Sequence, residues 1–523
     1  MDLLNQVNGF MNRLFRICCL VILAAVTTKA EAQNVSDEQR FRERMSQSQG
    51  ALSQPKSMGD YDKEFNEFRN EQQRKMEEFR NQRNAEFAEF LKKPWEQADV
   101  NEPLQEAPKT PDIPIVELPI INVEVPKENR INVNIEKPQI EKVEKPEPIA
   151  PVVYTPKPRE KTLSFVFYGT DGIVRFDMSG KASLKGSAEK DVSAFWTELS
   201  KDNYDNLLAD CLNLKEELDL CDWAYFKMTE KVSETIYGKS NEMVVFHSWL
   251  LTQSGFRVRL GRDNGRLHLI LNTNVKLVDT PYWTLDDGDY FLLDGSKIDR
   301  MNILGNSFPG TKALRMTFDS RNMFTPKETG LRDLQSKRYP DLHAQVACNK
   351  NLLDFMADYP ATLEEKYELT DWAKYAYTPL SESARNRLYP ALKSQIQDKS
   401  EADASNIILN FVQTAFEYKT DPEVWGKERI FFPEETLFYP YCDCEDRAIL
   451  FCRLVTDIMG LKTALVYYPG HLAAAVQFNT AIPGDYFIID GKRFLICDPT
   501  YINASIGMTM PRQDNSTAKV FPL

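Results

Sequence analysis

Residues 97–161 carry twelve prolines among alternating Val, Ile, Glu and Lys, as in TPDIPIVELPIINVEVPKENR and EKPEPIAPVVYTPKP. Proline has no N–H to give to a helix or to an interior sheet ladder, so neither element continues through this stretch. The chain is therefore cut in two, with a charged part before it and a body from about residue 162. The stretch itself reads as an extended linker whose Ile/Val alternation suits an edge strand on a neighbouring domain. With 523 residues, 42% of them hydrophobic, the chain can bury more than one core. A formal net charge of −13 and the lack of a basic cluster exclude a nucleic-acid-binding class.

On the N-terminal side, MNRLFRICCLVILAAVTTKAEAQ reads as an export signal. Arg13 and Arg16 precede an apolar run over residues 17–26, and Ala30-Glu31-Ala32 is a small-x-small cleavage pattern. The run is too short to span a bilayer, which takes about 20 residues. The expectation is an exported chain, periplasmic or extracellular, with residues 1–32 as signal peptide and no integral span after cleavage. Cleavage after Ala32 removes Cys18 and Cys19 and leaves seven of nine cysteines, an odd number.

Residues 33–96 form a charged helical segment with three matching blocks, FNEFRNEQQRK, MEEFRNQRNAE and FAEFLKKPWEQ. Phe65, Met76 and Phe87 stand eleven apart, as do Phe68, Phe79 and Phe90, a period that keeps an apolar stripe nearly straight on a helix. Two readings stand side by side for residues 60–95: self-association or partner binding through the stripe, and a helix lying on its own body.

Two halves of the body, residues 162–345 and 346–523, echo each other. Each gives an apolar helix, a Gly-apolar step (Gly255-Phe256, Gly460-Leu461), two strands and a hairpin segment, 288–295 against 484–491. Shared ancestry is the hypothesis. If it holds, the first half is a degenerate copy with Lys239 or Ser240 where Cys444 sits and no acid where Asp498 sits.

The second half carries the chemistry. In DCEDRAILFCRLV the residues Ala448, Leu450, Phe451, Leu454 and Val455 make one helical face, which puts Cys444 at or just before the first turn, with Cys452 on the buried face. Backbone N–H groups at a helix start favour a thiolate and a developing oxyanion. Glu445 and Asp446 act against the thiolate, so it needs a cationic partner such as an imidazolium. His471 lies 27 residues after Cys444 at a strand start, and Asp498, held extended by Pro499, lies 27 residues further on. A thiol, a histidine and an aspartate in this order suit nucleophilic acyl transfer. His247, His268 and His343 lack a matching cysteine and acid in order and read as structural.

Asp443-Cys444-Glu445-Asp446-Arg447-Ala448, Gly460-Leu461, His471 and Asp498-Pro499-Thr500 together resemble the transglutaminase-like branch of the papain-like cysteine enzymes, over about residues 406–507. The resemblance implies an α+β fold with a papain-like core, a helix packed on an antiparallel sheet. It implies Cys444 as nucleophile, His471 as the base that becomes the acid, and Asp498 as the group that orients the imidazole. Many members follow the histidine with Ala-Trp, whereas this chain has Leu472-Ala473. Tyr439 and Tyr441 are the candidate replacement oxyanion donors, and Cys442 is the competing nucleophile.

The expected function is hydrolysis or acyl transfer at amide bonds of a protein or peptide substrate, through a thioester and without metal or other cofactor. Three alternatives stand beside it: a catalytically silent binding scaffold of the same fold, an envelope component with oxidised cysteines, and a zinc site built from Cys442, Cys444, His471 and Cys497.

Overall fold

The charged repeats wind into one helix, α1 (Met58–Leu91), built of good helix formers and ended before Pro94. The computed structural model describes residues 58–104, 115–120, 126–136, 145–149, 161–201, 204–318, 320–364 and 369–523. The export signal and much of the proline-rich stretch lie outside the described residues. The C-terminal turns of α1 lie on the body. Arg80 Nη2 bonds Asp205 Oδ2 at 2.6 Å, the Trp196 indole donates to Asn84 Oδ1 at 3.1 Å, and Phe87 packs against Trp196 and Phe308. Phe68 and Phe79 stay exposed. The stripe is thus spent on the body only near its end.

Beyond α1 the chain adds short strands to sheets that belong to the body: β1 (Glu96–Asp99), β2 (Asn129–Arg130) and β3 (Asn134–Ile135). The first half of the body sets α2 (Asn241–Gln253) before β4 (Val258–Asp263), β5 (Arg266–Asn272), β6 (Tyr282–Leu285), β7 (Gly288–Leu292) and β8 (Arg300–Ile303). Their sheet runs β1-β8-β4-β5-β7-β6 with every neighbour antiparallel. In the second half, α3 (Glu401–Thr414) and α4 (Cys444–Met459) precede β9 (Lys462–Tyr468), β10 (His471–Gln477), β11 (Asp485–Ile489), β12 (Lys492–Cys497) and β13 (Lys519–Pro522). This sheet runs β2-β11-β12-β10-β9-β13-β3.

With the strands of the proline-rich stretch set aside, the two sheets have one topology. Counted in chain order within each half, both read fifth, first, second, fourth, third, all antiparallel. In both, the helix packs on the first hairpin. The 288–295 and 484–491 echo is out of step with this order, because Gly288 opens the fourth strand of its half and Asp485 the third. The two glycines also answer different neighbours. A Cβ on Gly288 would meet the Asn272 amide at 2.8 Å, and one on Gly484 the Gly507 backbone at 2.4 Å.

The second sheet is rolled up. Only three residues separate Arg130 at one edge from Asn134 at the other, a reach of about 14 Å, whereas seven flat strands would span about 29 Å. Ile131, Ala464, Val466, Ala473, Ala475, Phe487, Phe494, Ile496 and Val520 fill the inside as a separate apolar cluster. The alternate residues Leu465, Leu472, Ala474, Val476, Leu495 and Cys497 face the main core with α4. Burial on both faces explains why KTALVYY and HLAAAVQ read as unbroken apolar runs. The proline-rich stretch also reaches the loop after β12, where the Leu118 amide bonds Ile502 O at 3.1 Å and Asn503 Nδ2 bonds Leu118 O at 2.8 Å.

Candidate active site

Cys444 is the first residue of α4, with Asp443 as N-cap in extended geometry. Asp446 closes the turn by accepting from the Asp443 amide at 3.3 Å, and its other oxygen takes the Phe431 amide at 2.8 Å. Acids in the first turn suit the helix dipole, which accounts for a helix start here despite three carboxylates in four residues. Burial beside Asp421 and Glu445 pushes the Asp446 carboxyl well above the usual carboxylate range.

His471 opens β10 after a turn through Pro469 and Gly470, the latter at φ 82. Its Nε2 lies 2.9 Å from Asp498 Oδ2, and both residues are buried, 4% and 1% exposed. The other oxygen of Asp498 accepts the amides of Thr500 at 2.9 Å and Tyr501 at 3.2 Å, which fixes the carboxylate at the end of β12. Cys444 is 5% exposed, and its Sγ donates to Glu445 Oε2 at 3.0 Å. His471 and Asp498 are thus brought into direct contact, and Cys444 stands on the helix that packs on the strand bearing His471. The Glu445 contact had a sequence signal only as charge, since a helix start gives no rotamer.

All seven cysteines among the described residues are buried thiols without disulfides. Burial raises Cys211, Cys348, Cys442, Cys452 and Cys497, with Cys442 at about 11 and Cys452 at about 12. Cys452 sits on the buried face of α4, with Sγ toward Ala464 O at 3.8 Å. Tyr439 and Tyr441 are engaged with cations. Arg429 donates to Tyr439 Oη at 3.3 Å, and Lys419 Nζ stands 3.9 Å from the Tyr441 ring centroid.

Groups of three candidate metal ligands occur among the described residues: Asp443, Cys444 and Glu445; Asp421, Glu428 and Glu445; Asp421, Asp443 and Asp446. None includes Cys442, His471 or Cys497, so the four proposed zinc ligands are not gathered. Cys442 and Cys497 are instead drawn into the core on β strands, at 2% and 0% exposure.

With this geometry in view, residues 388–518 match the model of a transglutaminase-like domain. Over that stretch the chain is similar to this domain family. The matched stretch takes in α3, α4 and all of β9 to β12, and it is wider than the sequence resemblance on both sides. No curated protein matches the chain.

The first half has counterparts at each site position. α2 begins at Asn241 where α4 begins at Cys444. Arg266 follows the first hairpin turn as His471 does, and four residues on, Ile270 faces Leu292 as Ala475 faces Ile496. Two residues further lie Asp294 and Asp498. The expectation of Lys239 or Ser240 and no acid is therefore corrected to Asn241 and Asp294. Counting back from Gly255 fails because α2 has 13 residues and α4 has 16. His268, read as structural for want of a matching cysteine and acid in order, bonds Asp294 Oδ2 through Nδ1 at 2.7 Å, and Arg266 Nη2 lies 3.7 Å from the same oxygen. Cross-strand register brings them together, and a single-chain scan for Cys, His and Asp in order does not look there. His247 is buried against Thr229, and burial pulls it down to about 3; His343 bonds Asp333 on a surface hairpin.

Proposed function

We propose that the second half is a thiol acyl-transfer enzyme acting on amide bonds, with Cys444 as nucleophile, His471 as base then acid, and Asp498 as orienting carboxylate. The observation that carries this reading is the buried His471–Asp498 hydrogen bond, within a transglutaminase-like domain whose Cys444 opens the core helix. Asp498 engages Nε2, which leaves Nδ1 for proton exchange with the thiol.

The thiolate attacks the amide carbonyl carbon while His471 holds the thiol proton. The imidazolium gives that proton to the departing nitrogen as the C–N bond breaks, leaving a thioester on Cys444. Water or an amine then attacks the thioester carbonyl, His471 takes its proton, and the C–S bond breaks to restore the thiol. N–H groups at the start of α4 are the nearest backbone source of oxyanion donors. The substrate is a protein or peptide, and the chain is exported by its N-terminal signal. No helix among the described residues is long and apolar enough to cross a membrane.

The first half is, on this reading, a copy of the same frame without a nucleophile. Asn241 fills the cysteine position and is spent on the hairpin turn, with Oδ1 taking the Leu267 amide at 2.9 Å and Nδ2 bonding Gly265 O at 3.0 Å.

The test is incubation with a glutamine-containing peptide library, with and without a primary amine, followed by mass spectrometry. Deamidation, cleavage or amine adducts that vanish in Cys444→Ala support the proposal. Products that persist in Cys444→Ala, or no product and no trapped thioester with any amide or ester substrate, contradict it.

A further inference from the structure

We infer that Gln413 is a positioning residue for Asp498, tying the helix that bears Cys444 to the loop that bears the carboxylate; this rests on the acyl-transfer reading above. Gln413 lies in the last turn of α3 and is 1% exposed. Its Nε2 stands within reach of three carbonyl oxygens of one loop: Asp498 at 3.1 Å, Tyr501 at 2.8 Å and Ala504 at 3.2 Å. Its Oε1 accepts the Asn503 amide at 3.1 Å. One amide side chain, with two N–H donors and one acceptor oxygen, therefore gathers four backbone groups of the turn from Asp498 to Ala504.

Beyond the single bridge to the Glu117–Leu118 segment, no strand ladder holds this turn. β12 ends at Cys497, and Asn503 takes a left-handed backbone at φ 64. Its buried carbonyls need partners, and Gln413 is their common donor. The same turn presents the Thr500 and Tyr501 amides to Asp498 Oδ1, and that contact sets the angle at which Oδ2 meets His471. Moving the turn moves the carboxylate.

The backbone of Gln413 completes the link. Arg447, three residues after Cys444 on α4 and 1% exposed, donates from Nη1 to Gln413 O at 3.2 Å and from Nη2 to Phe416 O at 3.0 Å. The path runs from the cysteine helix through Arg447 to Gln413, and from the Gln413 amide to the aspartate turn. Neither residue touches a reacting atom, so the role is positional. Asn410 braces the turn from the same helix face, its Nδ2 bonding Asn503 Oδ1 at 3.0 Å.

The test reads Cys444 alkylation by iodoacetamide against pH in folded full-length protein, with thermal melting alongside. A thiolate paired with imidazolium alkylates on the acidic side, where an unpaired thiol does not. The acids that face the thiol, Glu445 beside it with Asp421, Glu428, Asp443 and Asp446 in the adjoining clusters, are common to all variants. Gln413→Met, which keeps volume and removes the donors, is expected to lower the acid-limb rate on the order of tenfold, as loss of an outer support does elsewhere. Asp498→Asn should show the same signature, and the double variant should lose no more than either single. Should Gln413→Met not fold, Arg447→Lys carries the test, with a smaller loss in the same direction.

An acid limb unchanged in folded Gln413→Met or Arg447→Lys, whatever the melting temperature, overturns the inference, and so does an additive double variant. Wild-type protein with no acid limb at Cys444 overturns the acyl-transfer reading and this one with it. A wild-type limb with an unchanged variant overturns this one alone.

Discussion

The helix-and-hairpin frame of α2, β4 and β5 and that of α4, β9 and β10 share one strand order and one helix placement, yet they differ at the positions where chemistry is expected. The acid is present in both, as Asp294 and Asp498. The residue after the hairpin turn is Arg266 in one and His471 in the other, and the helix opens on Asn241 or Cys444. The first half turns its acid into a structural contact, an ion pair with Arg266 and a hydrogen bond with His268, partly open to solvent, whereas the second buries a His–Asp pair. Fold is common to both halves; the proposed activity rests on two side chains, which is why it is argued from the site.

The largest expected effect breaks the comparison at its nucleophile. Cys444→Ala should remove acyl-enzyme formation altogether, a loss on the order of 10⁴-fold or more in rate, and His471→Ala should cost nearly as much. Their double variant should be no slower than Cys444→Ala, since residues of one machine are strongly non-additive; a much slower double would separate them. Asn241→Cys in the Cys444→Ala background should restore nothing, because Arg266 stands at the position of His471 and the first half's histidine, His268, lies two residues further along β5. Turnover from that variant would show that the first half keeps a working frame.

Next in size is the acid. Asp498→Asn keeps the shape and a hydrogen bond to the imidazole but loses the charge that favours imidazolium, and a rate loss on the order of tenfold to a hundredfold is expected. Asp294→Asn should leave the rate unchanged. Equal losses from the two substitutions, measured on one substrate, would contradict the assignment of the halves.

Stability carries a smaller contrast. Burial, with Lys227 adding to it, pulls His247 down to about 3 from an ordinary 6.5. The unfolded chain then binds the extra proton, so stability is full above about pH 6.5 and falls by about 1.4 kcal/mol per unit as pH drops toward 3. Urea midpoints at pH 7 and pH 5 should differ less in His247→Gln than in wild type, and an unchanged difference would remove His247 from the acid sensitivity. The smallest effect belongs to Asp294. Burial works to raise its carboxyl, but the bonds from His268 and the Ser296 amide win and hold it at about 2. That contribution is present above about pH 4 and is lost as pH falls toward 2, about 1 kcal/mol after solvent screening. Asp294→Asn should flatten the melting curve in that window alone.

Much of the site could be read from the chain itself. The spacing of Ala448, Leu450, Phe451, Leu454 and Val455 places Cys444 at a helix start, and Pro499 and Gly470 mark the strand ends that carry Asp498 and His471. What escaped the reading is long-range. Gln413 meets partners 85 to 91 residues away, and an amide in an apolar helix gives no sign of which turn it will hold. Asp294 was hidden because its partner His268 is joined to it by strand register, not by order in the chain. The similar 288–295 and 484–491 segments misled for a related reason: a Gly-Asp-Tyr-Phe run suits any strand that leaves a turn, so its resemblance carries no topology. The rolled sheet depends on Ile131, Val133 and Ile135 crossing its ends, a contact that proline spacing permits without predicting.

The most direct measurement is the distribution of thiol reactivity in the purified protein. Limiting iodoacetamide at neutral pH, followed by peptide mapping, reads all seven cysteines of the body at once. The account predicts label on Cys444 first, with Cys442 and Cys452 protected by burial that holds them as thiols, and with Cys211 and Cys221 of the first half unlabelled. Label that reaches Cys442 or Cys452 before Cys444, or that spreads evenly over the seven, contradicts it.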